Sequence, residues 1–271
     1  MKIAFIGGGN MARALIGGLL QRGFSADAIS VTEIDAAART QLSSQFAVRV
    51  AAQPGSDIQS SEVVLLAIKP QQMRTVAAEL RALLHTQLVI TIAAGVRTAD
   101  LARWLGGYAR IVRVMPNTPA LVLAGISALY AGATVTPAER QSAESILAAV
   151  GSTLWVEREE QLDAVTGVSG SGPAYVFYFM EALEQAGREL GLDESAARRL
   201  SLQTFVGAAR LAEQSGDDPA ELRARVTSKG GTTERALSCM TSADLKRKFV
   251  EAVKQAAERS RELGEQLGTS D

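Results

Sequence analysis

Lys2-Ile3-Ala4-Phe5-Ile6-Gly7-Gly8-Gly9-Asn10-Met11-Ala12 is the stretch that decides the architecture. Lys2 to Ile6 reads as a short buried strand that runs straight into three glycines. Met11 to Arg22, ending at Gly23, then reads as a helix. The spacing Gly7-x-Gly9-x-x-Ala12 fits the turn G-x-G-x-x-G/A between the first strand and helix of a dinucleotide-binding βαβ unit. The first glycine permits the tight turn, and the second lets the backbone approach a pyrophosphate. The small third residue lets helix pack close to strand. Free N–H groups and the helix dipole favour negative charge there, so Gly7, Gly9, Asn10, Met11 and Ala12 form the candidate phosphate cradle.

Working outward, strand and helix signals alternate. Ile29 to Ile34 reads as a strand and Asp35 to Phe46 as a helix. Glu62 to Ile68 is a continuous apolar run, as expected for a strand covered on both sheet faces, and it stops at Lys69-Pro70. Helix Gln71 to Leu84, strand Gln87 to Ala93, helix Thr98 to Leu105 and strand Ala109 to Met115 follow. Strand Gly125 to Tyr130, helix Pro137 to Val150 and a last strand, Thr153 to Val156, complete the pattern. Repeated βα units of this kind predict a Rossmann-type, doubly wound, mostly parallel α/β sheet over residues 1–160.

Beyond the charged connector Arg158-Glu159-Glu160-Gln161 no strand signal remains, and residues 161–271 read as an all-α domain. Pro173 to Leu190, Asp193 to Glu213, Pro219 to Arg225, Gly231 to Met240 and Ser242 to Leu267 are its predicted helices. Pro173 and Pro219 stand at helix starts, and Ser242 reads as an N-cap. The first of these helices carries Tyr175, Phe177, Tyr178, Phe179 and Met180. A helix apolar over most of its circumference must be buried nearly all round, which calls for a partner subunit or an interdomain core.

Bulk properties exclude several classes. The chain has 271 residues, 47% hydrophobic and 21% charged, with a formal net charge of -1. No general attraction to nucleic acid or anionic membrane is built in. The N-terminal apolar run is too short for a signal peptide, and no run approaches the ~20 residues of a membrane span. The lone Cys239 excludes an internal disulfide and fits a reducing compartment, so a cytoplasmic location is expected. It reads as a small buried apolar residue. No metal site is expected.

The second strand places Thr32 and Glu33 where an adenosine ribose would lie. Glu33 there would bond a 2′-hydroxyl and repel a 2′-phosphate, favouring NADH. Thr32 could instead donate to a 2′-phosphate, with Arg39 close by. Both NADPH and NADH therefore stay open as cofactor. Ala67, Lys69 and Pro70, then Ala93, Ala94 and Gly95, then Asn117 follow the ends of successive strands on the carboxyl edge, where open α/β sheets bind ligands.

Thr227-Ser228-Lys229-Gly230-Gly231-Thr232-Thr233, far downstream at a helix start, has the form of a small-anion nest built from successive backbone N–H groups. It joins four further segments: Gly7 to Ala12, Val64 to Gln71, Val114-Met115-Pro116-Asn117-Thr118-Pro119 and Gly167 to Tyr175. Together with Ile92 to Val96 this ordered set, spanning Ile3 to about Phe249, closely resembles the pyrroline-5-carboxylate reductase family. The resemblance implies reduction of 1-pyrroline-5-carboxylate to L-proline by NADPH or NADH, the last step of proline biosynthesis. It also implies a helical domain that binds substrate and interlocks two subunits, often within a larger ring such as a decamer. By the same resemblance Ser228, Gly230, Gly231, Thr232 and Thr233 hold the substrate carboxylate. The Thr233 hydroxyl would lie near the ring nitrogen, the one candidate catalytic group. Lys229 stands where many relatives have Pro. Lys69 has a family role in cofactor contact, not in chemistry.

The residues agree with an imine substrate. The single histidine, His85, falls at the end of a sheet-covering helix and offers no positioned acid. A cyclic imine can bind already protonated, so hydride transfer needs mainly positioning and electrostatics. A β-hydroxyacid dehydrogenase would place a catalytic lysine on the long interdomain helix, and Tyr175 to Glu181 has none. A non-catalytic NAD(P)-sensing protein would have no need of the second anion nest.

Overall fold

The computed structural model describes residues 1–269. Its first half alternates strand and helix. The order is β1 (Ile3–Ile6), α1 (Asn10–Gln21), β2 (Ile29–Thr32), α2 (Ala36–Phe46), β3 (Arg49–Ala51), α3 (Ser56–Gln59) and β4 (Val63–Leu66). Next come α4 (Met73–Leu80), β5 (Leu88–Thr91), α5 (Thr98–Trp104), β6 (Ile111–Met115), β7 (Gly125–Ala131), α6 (Pro137–Leu147) and β8 (Gly151–Trp155). The strands form one sheet in the order β3-β2-β1-β4-β5-β6-β7-β8. Every neighbouring pair is parallel except β6 and β7.

Period-2 alternation sorts each strand between two cores. Ile3, Phe5, Val63 and Leu65 point to the face covered by α1, α2 and α6, beside Leu15, Leu42 and Ile146. Ala4, Ile6, Val64 and Leu66 point to the face covered by α4 and α5, beside Met73, Leu80, Leu101 and Trp104. Every residue of β1, β4 and β5 is buried, which is why these strands read as unbroken apolar runs. A short 3-10 turn, Thr118–Val122, closes with Leu123 in the left-handed region and reverses the chain, so β7 runs antiparallel to β6. Helix α6 starts on a capping box, with Pro137 at its first position and Thr136 and Glu139 satisfying each other's backbone.

Several sequence expectations need correction. Strand β3 and helix α3 carry no clear sequence signal. The helix expected from Gln71 to Leu84 begins as a 3-10 turn, Pro70–Gln72, and its regular part ends at Leu80. Two turns follow β8 before the long helices: α7 (Gln161–Val165) and a π-helical turn over Thr166–Gly170. Gly170 sits there against the Met115 methyl, which a Cβ would have to push aside.

The remaining helices are α8 (Gly172–Glu189), α9 (Glu194–Ser215), α10 (Pro219–Arg225), α11 (Thr232–Ser242) and α12 (Leu245–Thr269). Ser242 is the last residue of α11 and its hydroxyl donates to the Ser238 carbonyl, so it caps nothing. The break falls at Asp244, whose φ is 57°. Cys239 is exposed on α11, not buried.

The chain divides into two compact units, Met1–Ser171 with residues from Gln255 onward, and Gly172–Lys254. The change from strands to helices at 158–162 is therefore not where the units part, and α12 belongs to both. Within the second unit α8 packs on α9, where Gly187 meets Ala197 and the Ser201 hydroxyl donates to the Met180 carbonyl at 2.8 Å. Tyr175 and Phe179 stack edge-on against Phe249. Yet Ala197 and Ser201 are its only buried described residues. Phe177 and Tyr178 are 63% and 68% exposed, so the all-round burial expected of α8 is not met within one chain.

Candidate active site

The glycine turn closes β1 onto its neighbours at the switch point of the sheet, between β2 and β4. Gly7 has φ 96° and donates its N–H to the Thr32 carbonyl at 2.8 Å; a Cβ there would stand 2.5 Å from the Ala67 carbonyl oxygen. Gly8 is pinned from both sides. Its N–H donates to a Glu33 carboxylate oxygen at 2.8 Å, and its carbonyl accepts from Arg13 Nε at 3.0 Å. A side chain on Gly8 would collide with Leu42. Gly9 differs: a Cβ would meet nothing within 4 Å. That glycine faces open space, as required where a ligand's own atoms must approach the backbone.

Gly9 is also the N-cap of α1 and makes no side-chain cap, so the first N–H groups of Asn10, Met11 and Ala12 are left to an incoming anion. A cavity of about 810 Å³ opens beside this turn. Gly7, Gly9, Thr32, Glu33, Ala67 and Lys69 line it, as do Ile34, Gln53, Gln72 and Glu79, which the sequence reading missed. Gln53 follows β3, so its place was hidden with that strand. Asn10, Met11, Ala12, Pro70, Ala93, Ala94, Gly95 and Asn117 are not among the lining residues. The Asn117 side-chain oxygen instead accepts from the Ile126 N–H at 2.9 Å and ties down the start of β7.

At the end of β2 both Glu33 carboxylate oxygens accept backbone N–H groups, one from Gly8 and one from Asp35 at 2.9 Å. Each keeps a further lone pair for a hydroxyl. Arg39 donates to the Glu33 and Ile34 carbonyls at 2.7 and 2.9 Å, which fixes a cation on the same loop. An acid and a cation are therefore both fixed on the loop after β2, of which Glu33 lines the cavity and Arg39 does not. Lys69 is exposed and has no ion pair among the described residues. His85 is exposed just before β5, at the sheet edge opposite the glycine turn. No cluster of His, Cys, Asp or Glu able to hold a metal occurs among the described residues.

The second glycine turn lies in the helical unit. Gly230 has φ 73° and donates its N–H to the Glu234 carboxylate at 2.7 Å. Gly231, the N-cap of α11, donates to the Ser228 carbonyl at 3.0 Å; a Cβ there would lie 2.5 Å from the Ser228 hydroxyl. Two of the four amides expected to form the nest are thus engaged within the turn. Those of Thr232 and Thr233 have no partner among the described residues and point out of the helix N-terminus, as an anion site requires. Lys229 is exposed.

A doubly wound sheet with an open glycine cradle at its switch point, followed by helices around a second glycine turn, defines a nicotinamide-dinucleotide oxidoreductase. Residues 159–263 match the profile for pyrroline-5-carboxylate reductase dimerisation, and residues 2–95 that for coenzyme F420-dependent NADP oxidoreductases. The chain belongs to the pyrroline-5-carboxylate reductase family. It is 47% identical over 268 residues to the reductase of Pseudomonas aeruginosa, covering 98% of each chain. It is 44% identical to that of Pasteurella multocida, covering 97% of each. Among solved structures, the Coxiella burnetii pyrroline-5-carboxylate reductase superposes with a TM-score of 0.92 at 41% identity, over 97% of this chain and 98% of that one. The Plasmodium falciparum enzyme, solved with NADP bound, gives 0.87 at 26% identity over the same shares.

Proposed function

We infer that this protein reduces 1-pyrroline-5-carboxylate to L-proline with NADPH or NADH, the closing step of proline biosynthesis. The observation that carries this is the likeness to the Pseudomonas aeruginosa reductase along 98% of both chains. The residues present fit the cofactor: the Gly9 face is clear, and the start of α1 is uncapped beside a cavity of about 810 Å³. When bound, the reduced nicotinamide supplies a hydride to the imine carbon of the substrate. Gly7, Gly9 and the amides of Asn10, Met11 and Ala12 hold the pyrophosphate. Thr32, Glu33 and Arg39 meet the ribose, and this mix of charges supports use of either cofactor. Ala67, Lys69, Pro70, Ala93, Ala94, Gly95 and Asn117 complete the cofactor side.

Substrate binding falls to the second glycine turn. Thr232 and Thr233 offer free amides, with the Ser228 hydroxyl, to the substrate carboxylate. Gly230 and Gly231 shape the turn, and their amides serve it from within. The Thr233 hydroxyl sits against the ring nitrogen and steadies its proton. Because that nitrogen is basic enough to arrive protonated, no stronger acid is required, in keeping with the place of His85 at the sheet edge opposite the glycine turn of its own unit. The division of labour expected from the sequence, cofactor on residues 1–160 and substrate and association on 161–271, is part of this reading. The return of residues from Gln255 onward to the sheet unit is an addition to it. The active form is a homo-oligomer built on a dimer through the helical domain, and the cytoplasm is its place of work. No helix among the described residues is long and apolar enough to cross a membrane.

The test is direct. Pure protein with 1-pyrroline-5-carboxylate should oxidise NADPH or NADH, followed by loss of the reduced-nicotinamide absorbance, and yield proline. Absence of turnover with both cofactors, while both still bind, would overturn the assignment and turn attention to hydroxyacids.

A further inference from the structure

The last turns of α12 return to the sheet unit and lie on the loop that follows β5. Gly264 is buried with its Cα face against that loop; a Cβ there would stand 2.9 Å from the Gly95 carbonyl oxygen and 3.2 Å from Arg97 Nε. Gly95 in turn has φ 78°, and a Cβ on it would lie 3.4 Å from the Gly264 nitrogen and from Leu267. The two backbones touch with nothing between them. One turn earlier, Ser260 is 4% exposed and its hydroxyl donates to Asp163 Oδ1 at 2.8 Å. Asp163 Oδ2 accepts from Arg97 at 2.5 Å, and Arg97 stands two residues past Gly95. The Glu159 carboxylate holds the Thr98 N–H and hydroxyl at 2.8 and 2.7 Å. Arg113 in β6, 2% exposed, joins the group through Glu159 at 3.0 Å. Each buried charge thus has an opposite partner, the condition for such a group to hold one geometry.

The loop so held is Ala93-Ala94-Gly95. In the strand order, Glu33 marks the adenosine half of the cradle on the β2 side of the switch point. The end of β5 lies on the other side, where the nicotinamide half must fall. We propose that Gly264 and Ser260 of the C-terminal helix are positioning residues for the nicotinamide half of the cofactor site, acting through the Ala93–Gly95 loop against which they are seated. The proposal rests on the functional reading above, in which that loop borders the nicotinamide.

The full-length protein tests it with two ligands, NADH and ADP-ribose, which shares the adenosine half but lacks the nicotinamide. Gly264→Ala should weaken NADH binding roughly tenfold by forcing the loop outward, and leave ADP-ribose binding within about twofold of wild type. KM for NADH should rise with it, while KM for the imine stays put. Ser260→Ala should act in the same direction more weakly, and Ser260→Thr, which keeps the hydroxyl, should restore wild-type binding. Equal weakening of both ligands, or unchanged NADH binding in a folded variant, would overturn the proposal. Should Gly264→Ala fail to fold by circular dichroism, the Ser260 pair decides the matter with the same two ligands. Binding is read without turnover, so an inactive wild-type protein would sink the reductase assignment and leave this contrast standing.

Discussion

The sheet unit and the helical unit solve the same problem in opposite ways. In the first, β1, β4 and β5 bury every residue and two apolar cores close within one chain. In the second, Ala197 and Ser201 alone are buried among the described residues, while Phe177, Tyr178, Leu190 and Leu200 are more than half exposed. Both units have amphipathic or apolar elements in quantity. The difference lies in which surfaces the chain can reach by folding on itself. A parallel sheet recruits its own covering helices through each crossover, whereas α8 and α9 cover each other on one side and leave the rest to a second copy. Stability should therefore be intrinsic to the first unit and tied to subunit concentration in the second.

The largest expected effect breaks the sheet side of that contrast. Phe5→Ala removes a fully buried ring and should cost about 3–5 kcal/mol. Its drop in Tm should be the same at low and high protein concentration; a concentration-dependent drop would mean the core is not closed in cis. Next comes the helical side. Phe177 is largely exposed within the chain, yet Phe177→Asp should remove about 2–4 kcal/mol of association energy. Sedimentation should then show monomer, and a variant that stays oligomeric at high dilution would place the interface elsewhere.

The chemical counterparts are smaller. Thr233→Ala in the helical unit should lower kcat/KM for the imine about tenfold, the worth of one hydrogen bond to a charged group, and leave cofactor affinity unchanged. Wild-type kinetics would remove Thr233 from the reaction. Glu33→Ser in the sheet unit should shift the NADPH/NADH preference roughly threefold to tenfold toward NADPH. A constant ratio would show that Glu33 does not face the ribose.

The smallest effect concerns acid stability. Partial burial pushes the Glu139 carboxyl up, but hydrogen bonds from Thr136 and the Arg110 guanidinium outweigh it and hold the group below its ordinary value. The stabilisation is therefore complete above the unfolded-state pKa and fades as pH falls through the lowered folded-state one. Glu139→Gln should remove at most about 1 kcal/mol near neutrality, the worth of a partly exposed pair with Arg110, and flatten that part of the acid limb. Since Gln at that position still completes a capping box, an unaltered stability profile would show that the Glu139 charge contributes nothing.

Much of the fold could be read from residues alone because a parallel sheet writes itself plainly. Val63-Val64-Leu65-Leu66 is apolar on both faces, and Gly7 to Ala12 is a turn with few alternatives. Arg49-Val50-Ala51 was unreadable because three residues carry no period, and β2 alone gives them a pairing partner. Ser242 misled because it is a good cap by residue type, yet its hydroxyl donates to the Ser238 carbonyl within α11 and the break falls two residues later, at Asp244. At the site, the glycines announced two anion cradles, but which amides are free did not follow from sequence. Gly8 is held by Glu33 from twenty-five residues away, and Gly230 by a carboxylate one helical turn on. The return of α12 had a signal that the sequence reading did not use: Gly264 and Gly268 are the two glycines of that helix, both in its second half, and each lies where a Cβ would press on the loop after β5 or the start of α5.

That return has a bearing on synthesis. The ribosome delivers all eight strands and α7 before the helical unit begins, yet Asp163 meets Ser260 only across ninety-seven residues of later chain. Until those residues emerge, the loop after β5 has no seat and the charges around Asp163 lack one of their partners. The nascent sheet must wait, incomplete at one edge, while the association helices are made. On the proposal above, a seated cofactor loop and the association helices therefore become available together, once the residues from Gln255 onward have emerged.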